Sequence, residues 1–470
     1  MNDVPQPITP EGKKAVWLAT LAVLVAQLPI NLVSVSLTTI AADTGTGTAG
    51  LQWIQSIFIL AMSAAVLSAG VIAENIGRRR VMVIALWLMA SGTTLGWLSP
   101  LFGDWTMPVL WTGQAIAGLG GGALLPTTLA TITAAVPDYR QRGPYIALWG
   151  AGTTAGLTLG AIVGGLINEI AHWGWVYLPA VIVAALIAVI TQTQLPAAPT
   201  SAPGMDAQGQ IYATLAIVGV IFGVIQGGST GWLSPSALTG YAVFAVFLTL
   251  FIYRESHTYA PLMDIRIFAN TRFAAAGFAA AMSLFSVVGM GFMLALFLGT
   301  AKELTPLGIA SYLAFMPGTA LAASPLAGAL LKRTRPTWVL ILGLGLAALG
   351  TFLLAGADAE TSYPAMLWRI MVFGVSISLM LSSVTTVAVN AVPPRQAAMA
   401  GATNTVLRQV GGALGPAILG SVWATVLNEG GAVSEAFSTA VGVTTGLLVL
   451  AALLCLLAEF AGGKKAAGSM

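Results

Sequence analysis

The chain has 470 residues, of which 57% are hydrophobic and 7% charged, with a net charge of +3 and a mean hydropathy of +0.88. This composition excludes a soluble enzyme, because no connecting segment exceeds about 20 residues, too few for a catalytic domain. Because the chain has one cysteine, Cys455, an internal disulfide framework is excluded. His172 and His257 are too far apart in the sequence to form a local metal motif. The basic residues are scattered, so no nucleic-acid partner is expected. No metal or cofactor is expected either.

Long apolar stretches alternate with short charged connections from Lys14 to Phe460. Each stretch is close to the roughly 20 apolar residues that one membrane crossing needs. The first is interpreted as a retained span, because the polar segment before it lacks the small-residue cleavage site of a signal peptide. The predicted fold is an all-α polytopic membrane protein. Its fourteen predicted spans are 15–40, 51–73, 81–98, 107–136, 145–167, 175–194, 210–226, 236–253, 273–298, 308–331, 337–356, 364–391, 397–427 and 438–459.

The distribution of basic residues predicts how the chain is oriented. An even number of spans places both termini on one side, and nearly all basic residues in the predicted connections fall on that side. Only Lys302 falls in a connection on the opposite side. Because basic connections remain inside the cell, both termini are predicted to be cytoplasmic, with the chain in the plasma membrane. Arg369 and Arg408 are the two basic residues within spans, and we expect Arg369 to reach the outer surface.

The predicted spans divide into six, two and six. A stretch rich in Pro, Ala, Ser and Gly separates the first six from the rest and is typical of a linker. In the polar stretch before the last six, Leu262, Ile265 and Phe268 recur at helical spacing. That spacing fits a short interfacial helix and an irregular loop equally well. The predicted domains are a first six-helix bundle at 1–195, a linker with two extra spans at 196–272, and a second bundle at 273–470.

The two six-span groups carry similar connections at equivalent places. Gly70 stands four residues before the charged run that starts at Glu74, and Gly328 stands four residues before the run that starts at Lys332. A new span follows each run. Parallel repeats of six spans are the architecture of two-bundle secondary transporters, whose substrate site lies near the membrane midplane between the bundles.

The connection at residues 70–80 resembles the signature between the second and third spans of the major facilitator superfamily, G-x-L-x-D-R-x-G-R-R/K. The matching positions are Gly70, Gly77, Arg78 and Arg79. Glu74 holds the acidic position, and Asn75 replaces the basic residue after it. Over nearly its whole length the chain resembles the fourteen-span drug:proton antiporter branch of this family. The resemblance implies a major facilitator fold of two six-helix bundles plus two extra linker helices.

The same resemblance implies a gating role for the connection at residues 70–80. In the family, its carboxylate sits against the N-terminus of the penultimate span, where unpaired amide groups and the helix dipole favour a negative charge. Here that N-terminus lies near Ala397, and Arg395 is a candidate salt-bridge partner of Glu74. The alternative is a solvated cytoplasmic charge.

The fifth span carries a stripe of glycines. Gly152, Gly156, Gly160 and Gly164 recur every fourth residue, which aligns them on one helix face and allows a neighbouring backbone to pack closely. This run resembles the antiporter motif of the family, G-x-x-x-G-P-x-x-G-G, except that Ala161 replaces the proline. The resemblance implies a conformational gating role for the stripe.

Three other runs resemble the branch but lack its charges. Gln114 replaces an arginine in the fourth span, Pro29 replaces an aspartate in the first, and Gly174 replaces an arginine near the start of the sixth. Two further runs, Ile225–Trp232 and Asn404–Gly415, resemble the linker and the penultimate span of the branch.

No Asp or Glu falls near the middle of any predicted span. Proton coupling ordinarily uses a buried carboxylate or histidine whose access to the two sides alternates. Glu303, in the connection before the tenth span, and Glu74 are therefore the candidate coupling residues, each with a surface charge as the alternative. Either the chain couples through such a peripheral site, or it carries substrate downhill without ions.

Arg408 is predicted to lie about 16 Å deep in its span at 1.5 Å per residue. It is either an anchor for an anionic or polar substrate group or an arginine that hydrogen-bonds neighbouring helices. Without a midplane acid, we expect neutral or anionic amphipathic substrates. The candidate substrate-binding residues are Asn31, Ser34, Trp53, Gln55, Gln114, Met290, Phe292, Asn404 and Arg408.

Three functions fit these observations. The favoured one is an exporter of drugs or secondary metabolites that works by alternating access of two bundles, with proton coupling left open. The second is a facilitator or importer of a small organic anion. The third is a transporter-derived receptor or assembly protein that moves nothing. The expected partners are a small-molecule substrate, the lipid bilayer and, if coupled, protons, and the chain is expected to be a monomer.

Overall fold

A computed structural model describes residues 8–136, 141–196, 206–258, 265–393 and 396–467, and these residues contain helices but no strands. Several helices start at a Ser or Thr followed by proline. Thr9, Ser234 and Thr305 each accept a hydrogen bond from the backbone amide three residues on. The helices are α1 Pro10–Ser34, α2 Leu37–Thr44, α3 Thr48–Ile76, α4 Arg78–Leu98, α5 Thr106–Ala135, α6 Arg142–Ile170, α7 Leu178–Gln194, α8 Ala207–Thr230, α9 Pro235–His257, α10 Thr271–Thr300, α11 Pro306–Leu313, α12 Phe315–Arg333, α13 Pro336–Ala355, α14 Tyr363–Asn390, α15 Ala397–Asn428 and α16 Val433–Ala467.

Thirteen helical segments of the described residues are long and apolar enough to cross a membrane. The longest, Arg78–Ala135, has 58 residues. It is not one straight helix, because Gly103 breaks it with φ 54° and ψ −120°. The two parts, α4 and α5, pack against each other along their length.

Two predicted spans are interrupted. The span predicted at 15–40 is α1 followed by the short helix α2, separated by a turn at Val35 and Ser36. The span predicted at 308–331 is α11 followed by α12, with a break at Ala314. Near the linker, Ile265–Ala269 forms a single 3-10 turn in which Phe268 packs edge-on against Phe273 at 5.3 Å. Leu262 lies outside the described residues.

The packing of the first seven helices recurs in the last seven. α1 packs on α6 as α10 packs on α15, α4 packs on α5 as α13 packs on α14, and α4 packs on α7 as α13 packs on α16. Between these groups, α8 packs on α9 and also on α3 and α15, so the extra pair lies against the junction of both groups.

Contacts between helix ends define two faces of the molecule. Gln52, at the start of α3, contacts Gly420 near the end of α15, so α15 runs antiparallel to α3 and parallel to α1. α16 then returns to the face where α1 begins. We call this the terminus face and the other side the opposite face.

Candidate functional site

The two helix groups meet tightly at the opposite face. A Cβ on Gly165 of α6 would lie 3.1 Å from the carbonyl oxygen of Pro306 at the start of α11. A Cβ on Gly299 of α10 would lie 3.0 Å from the hydroxyl of Thr38 on α2. Such spacing leaves no room for a side chain, so the path between the groups is closed on this side.

α6 and α12 carry glycines that have open space around them. Gly143 and Gly150, in the first half of α6, and Gly318 and Gly328, in α12, have no atom within 4 Å of the position a Cβ would take. From tight contact at one end and open space at the other, we infer that the opening between the groups faces the terminus side.

Asn31, Ser34 and Gln55 form a buried polar cluster where α1 meets α3 and α6. Asn31 donates to the carbonyl of Leu157 on α6 at 3.1 Å. The Gln55 amide donates to the carbonyl of Ile30 at 3.2 Å and to the hydroxyl of Ser34. The Oε1 atom of Gln55 is buried without a hydrogen-bond partner among the described residues. The cluster therefore contains one enclosed acceptor that no other described residue pairs.

Gln114 and Trp53 are held by other contacts. The amide of Gln114 donates to the carbonyl of Ile54 at 3.2 Å, which ties α5 to α3. Trp53 faces the extra helix α8, with its ring 6.4 Å from that of Phe222. It therefore lies away from the cluster of Asn31, Ser34 and Gln55.

Asn404 and Arg408 lie one turn apart on α15. Asn404 is fully buried, donates to the carbonyl of Ala276 on α10 at 3.5 Å, and accepts from the hydroxyl of Thr385 at 3.3 Å. Arg408 is only half-buried. It has no hydrogen bond or ion pair to another described residue, and it stands about 16 Å from the start of α15. An arginine at this depth is costly unless water, backbone carbonyls or an anionic ligand stabilise it.

Met290 and Phe292 belong to the core of the second group rather than to an open surface. Both are 0% exposed. Gly291 between them faces the first group, and its Cβ position lies 3.8 Å from Oδ1 of Asn31 and 3.9 Å from the terminal methyl of Met316. α10 therefore approaches the polar cluster with a bare backbone at this point.

The gating run predicted from the sequence forms the tight turn between α3 and α4. Gly77 adopts φ 95° and ψ 137°, a conformation that side chains rarely tolerate, and Arg78 begins α4 directly after it. Arg79 donates to the carbonyl of Leu195 at the end of α7 at 3.3 Å. Gly70 faces open space, and Glu74 is exposed. Arg395, the candidate partner of Glu74, lies outside the described residues.

The glycine stripe of α6 packs directly on α1. A Cβ on Gly152 would lie 3.0 Å from the carbonyl oxygen of Thr20, and one on Gly164 would lie 3.0 Å from that of Leu32. Gly156 and Gly160 contact the carbonyls of Leu24 and Leu28 in the same way. The four-residue repeat of glycines thus matches a four-residue repeat of carbonyls on α1.

The equivalent helix pair in the second group, α10 and α15, also packs through glycines, which the sequence did not lead us to predict. Gly411 and Gly415 of α15 pack on α10, where a Cβ on Gly415 would lie 2.7 Å from the carbonyl oxygen of Phe285 and 3.0 Å from the amide of Gly289. The spacing of these two glycines, four residues apart, could have indicated this close packing from the sequence.

No acidic residue described here lies near the middle of a spanning helix. Glu74 is two residues from the end of α3. Glu303 is exposed in the connection after α10, with φ 49°. At the opposite face, Asp43 at the end of α2 accepts from Trp173 at 2.8 Å and lies 3.3 Å from Nε2 of His172. This pair ties α2 to the turn before α7.

Comparison with known proteins gives a consistent result. The Major Facilitator Superfamily profile matches residues 19–416. The chain is 31% identical over 405 residues to the multidrug resistance protein Stp of Mycobacterium tuberculosis, covering 84% of this chain and 73% of that protein. It is 25% identical to the methylenomycin A resistance protein of Bacillus subtilis, with 87% of each chain covered.

Solved structures share the fold at low sequence identity. A peptide transporter crystallised with sulfate superposes with a TM-score of 0.70 at 16% identity, covering 97% of this chain and 96% of that one. A human organic anion transporter superposes with a TM-score of 0.61 at 16% identity, covering 96% of this chain and 100% of that one. The chain is a multi-pass membrane protein that belongs to the Major Facilitator Superfamily, whose members are transporters rather than enzymes.

Proposed function

We propose that the chain exports drugs or secondary metabolites by alternating access, with neutral or anionic amphipathic molecules as substrates. Relatives named for multidrug and methylenomycin A resistance support the substrate class. The contacts of α6 support the mechanism, since Gly165 is tight against α11 while Gly143 has open space around it. With the terminus face proposed to be cytoplasmic, this arrangement supports an inward-open state of the proposed cycle.

The proposed architecture has fourteen spans, with a first bundle at 1–195, a linker region at 196–272 and a second bundle at 273–470. Division of Arg78–Ala135 at Gly103 supports the count, and the recurring helix pairs support the two bundles. Both termini are proposed to be cytoplasmic in a bacterial plasma membrane, because basic residues concentrate on their face. The transporter is proposed to act as a monomer without a nucleic-acid partner.

Arg408 is the single observation that carries the proposed preference for anionic groups. It is deep, half-buried and without a partner among the described residues, so a ligand anion would supply the charge that the protein does not. Asn31, Ser34, Gln55, Gln114 and Asn404 are proposed to line the path beside it. Trp53, Met290 and Phe292 are proposed to join them. The five polar residues, Met290 and Phe292 are all buried and Trp53 packs on α8, so these side chains reach the path only after the helices rearrange.

The proposed gates are the two features that the sequence singled out. Gly152, Gly156, Gly160 and Gly164 let α6 slide or tilt on α1 without side chains in the way. The run Gly70, Glu74, Gly77, Arg78 and Arg79 forms the turn at the terminus face, where a change in the contacts of Glu74 would accompany closure.

Proton coupling, if present, is proposed to use Glu303 or Glu74, since no acid of the described residues lies at the midplane. The test is transport by the purified protein in liposomes, with substrate and internal pH followed together. Stoichiometric proton movement that disappears in Glu303→Gln or Glu74→Gln would support coupling there. Substrate movement without proton movement would make the chain an uncoupled facilitator.

The role of Arg408 is tested in the same liposomes with Arg408→Gln and the matched surface variant Arg333→Gln. We expect Arg408→Gln to weaken binding of anionic amphipaths about tenfold or more, because a charge-assisted hydrogen bond contributes roughly 1.5–3 kcal/mol. Neutral substrates should change less. Equal loss for anionic and neutral substrates would contradict the anchor and favour a purely structural arginine.

A further inference from the structure

A cavity of about 380 Å³ opens at the terminus face of the second group, apart from the opening between the groups. It lies where α10 and α13 begin and where α14 and α16 end. Its polar lining comes from Arg272, Arg335, Thr337, Asn390, Cys455 and Glu459. The volume is within the range of small-ligand pockets, about 300–1,000 Å³.

The charges of this cavity are unbalanced. Glu459 is the acid of the lining, and it lies between the two arginines, with Oε2 3.6 Å from Nη2 of Arg272 and Oε1 3.3 Å from Nη1 of Arg335. Nε of Arg272 is buried and has no hydrogen-bond partner among the described residues. The lining therefore keeps one excess positive charge and an unused donor.

Backbone groups add to the positive electrostatic potential of the cavity. Arg272 lies in the first turn of α10, and Pro336 and Thr337 are the first residues of α13, so both helices begin at the cavity. The amide groups at a helix N-terminus are not paired within the helix and favour an anion. At the start of α10 the Asn270 side chain already accepts from the amides of Arg272 and Phe273, whereas the start of α13 has no side-chain cap. The uncapped end of α13, together with two guanidinium groups, fits a tetrahedral oxyanion better than it fits a cation or a neutral molecule.

The rim of the cavity places it at the surface of the bilayer. Trp338 on α13 and Phe460 on α16 touch edge to face at 6.4 Å, and both rings are largely exposed. Tryptophan side chains such as that of Trp338 are enriched at the level of lipid headgroups. Lys332 and Arg333 are exposed just before α13 and lie outside the lining of the cavity.

We propose that this cavity binds a phosphate group, with Arg272 and Arg335 as its ligands and an acidic phospholipid of the surrounding leaflet as its source. Phosphate from solution has the same chemistry and is the competing source. Glu459 holds the two arginines in the absence of the ligand and weakens binding by its own negative charge. The site is separate from the proposed transport path, so it stands or falls independently of export.

The test uses the full-length protein purified in neutral detergent. Native mass spectrometry and thermal unfolding would be recorded with phosphatidylglycerol, with phosphatidylcholine and with inorganic phosphate. The variants are Arg272→Gln and Arg335→Gln, the charge-preserving Arg272→Lys, the charge-removing Glu459→Gln, and Arg333→Gln as a control outside the cavity.

We expect phosphatidylglycerol, but not phosphatidylcholine, to be retained and to raise the melting temperature. Arg272→Gln and Arg335→Gln should each weaken retention about tenfold, the typical effect of losing one charge-assisted contact. Glu459→Gln should strengthen lipid retention, and misfolding would not produce such a gain. Arg272→Lys should keep part of the retention. Protection by inorganic phosphate alone would assign the site to soluble phosphate. Equal loss in Arg333→Gln, or no change in any variant, would overturn the proposal.

Discussion

Gly156 should be intolerant of even one added carbon, whereas Gly150 on the same helix should accept it. A Cβ on Gly156 would lie 3.0 Å from the Cβ of Gln27 and 3.1 Å from the carbonyl carbon of Leu24, and closer still to the carbonyl oxygen of that residue. The obstacle is backbone and cannot rotate away, so α1 and α6 must separate. Overpacking of this kind costs about 1–3 kcal/mol. Gly150 faces open space, so alanine there gains up to about 1 kcal/mol from helix propensity.

The measurement compares Gly156→Ala, Gly150→Ala and the natural protein in one detergent at one heating rate, because membrane proteins often unfold irreversibly. Expression level and membrane insertion are checked first for each variant. We expect the free energies of unfolding of the two variants to differ by about 2 kcal/mol or more, with Gly156→Ala the less stable. A Gly156→Ala protein as stable as Gly150→Ala would show that α1 and α6 do not pack as tightly as their backbones indicate.

Three further outcomes are expected from local geometry. Gly77→Ala should destabilise the α3–α4 turn by about 1–3 kcal/mol in thermal unfolding, because φ is 95° there. Glu303→Gly should stabilise the protein by up to about 1 kcal/mol in the same assay, since Glu303 holds φ 49°. Burial alone would raise the pKa of Asp206, but the amide of Gly209 and the guanidinium of Arg254 outweigh burial and lower this pKa from 3.8. Unfolding measured against pH should therefore show Asp206→Asn less stable than the natural protein above pH 3.8, with the difference lost as pH falls below that value.

The fold was largely predictable because membrane spans need only length and apolar composition. The boundary between α4 and α5 was found because Asp104 and its neighbours interrupt the apolar run. The breaks at Val35 and Ala314 were not found, since both residues are apolar and fit a continuous span as well as a turn. Hydropathy measures the cost of burying a residue in lipid, and it carries no information about backbone direction.

Candidate site residues were harder to predict than spans. A polar residue in a span can line a substrate path, or it can hydrogen-bond a neighbouring helix. Gln114 is polar and buried, yet its amide is engaged by the Ile54 carbonyl, which sequence alone does not reveal. Trp53 lies one residue from Ile54 but on the face toward α8. The glycine stripe was different, because repeated loss of side chains on one helix face has close packing as its direct physical meaning.

The three charges that the family resemblance leads one to expect are replaced in ways that leave no unpaired polar group behind. Gln114 satisfies its amide on α3, at 3.2 Å from the Ile54 carbonyl. A side chain at Gly174 would meet Pro100 at 2.8 Å, so no arginine fits there. Pro29 is buried within α1 and brings no charge. With these charges gone, Arg408 remains as a half-buried charge deep in the described spans without a partner. An unneutralised cation in low-dielectric surroundings favours anions and disfavours cations, and this asymmetry is the physical basis for expecting anionic or neutral cargo.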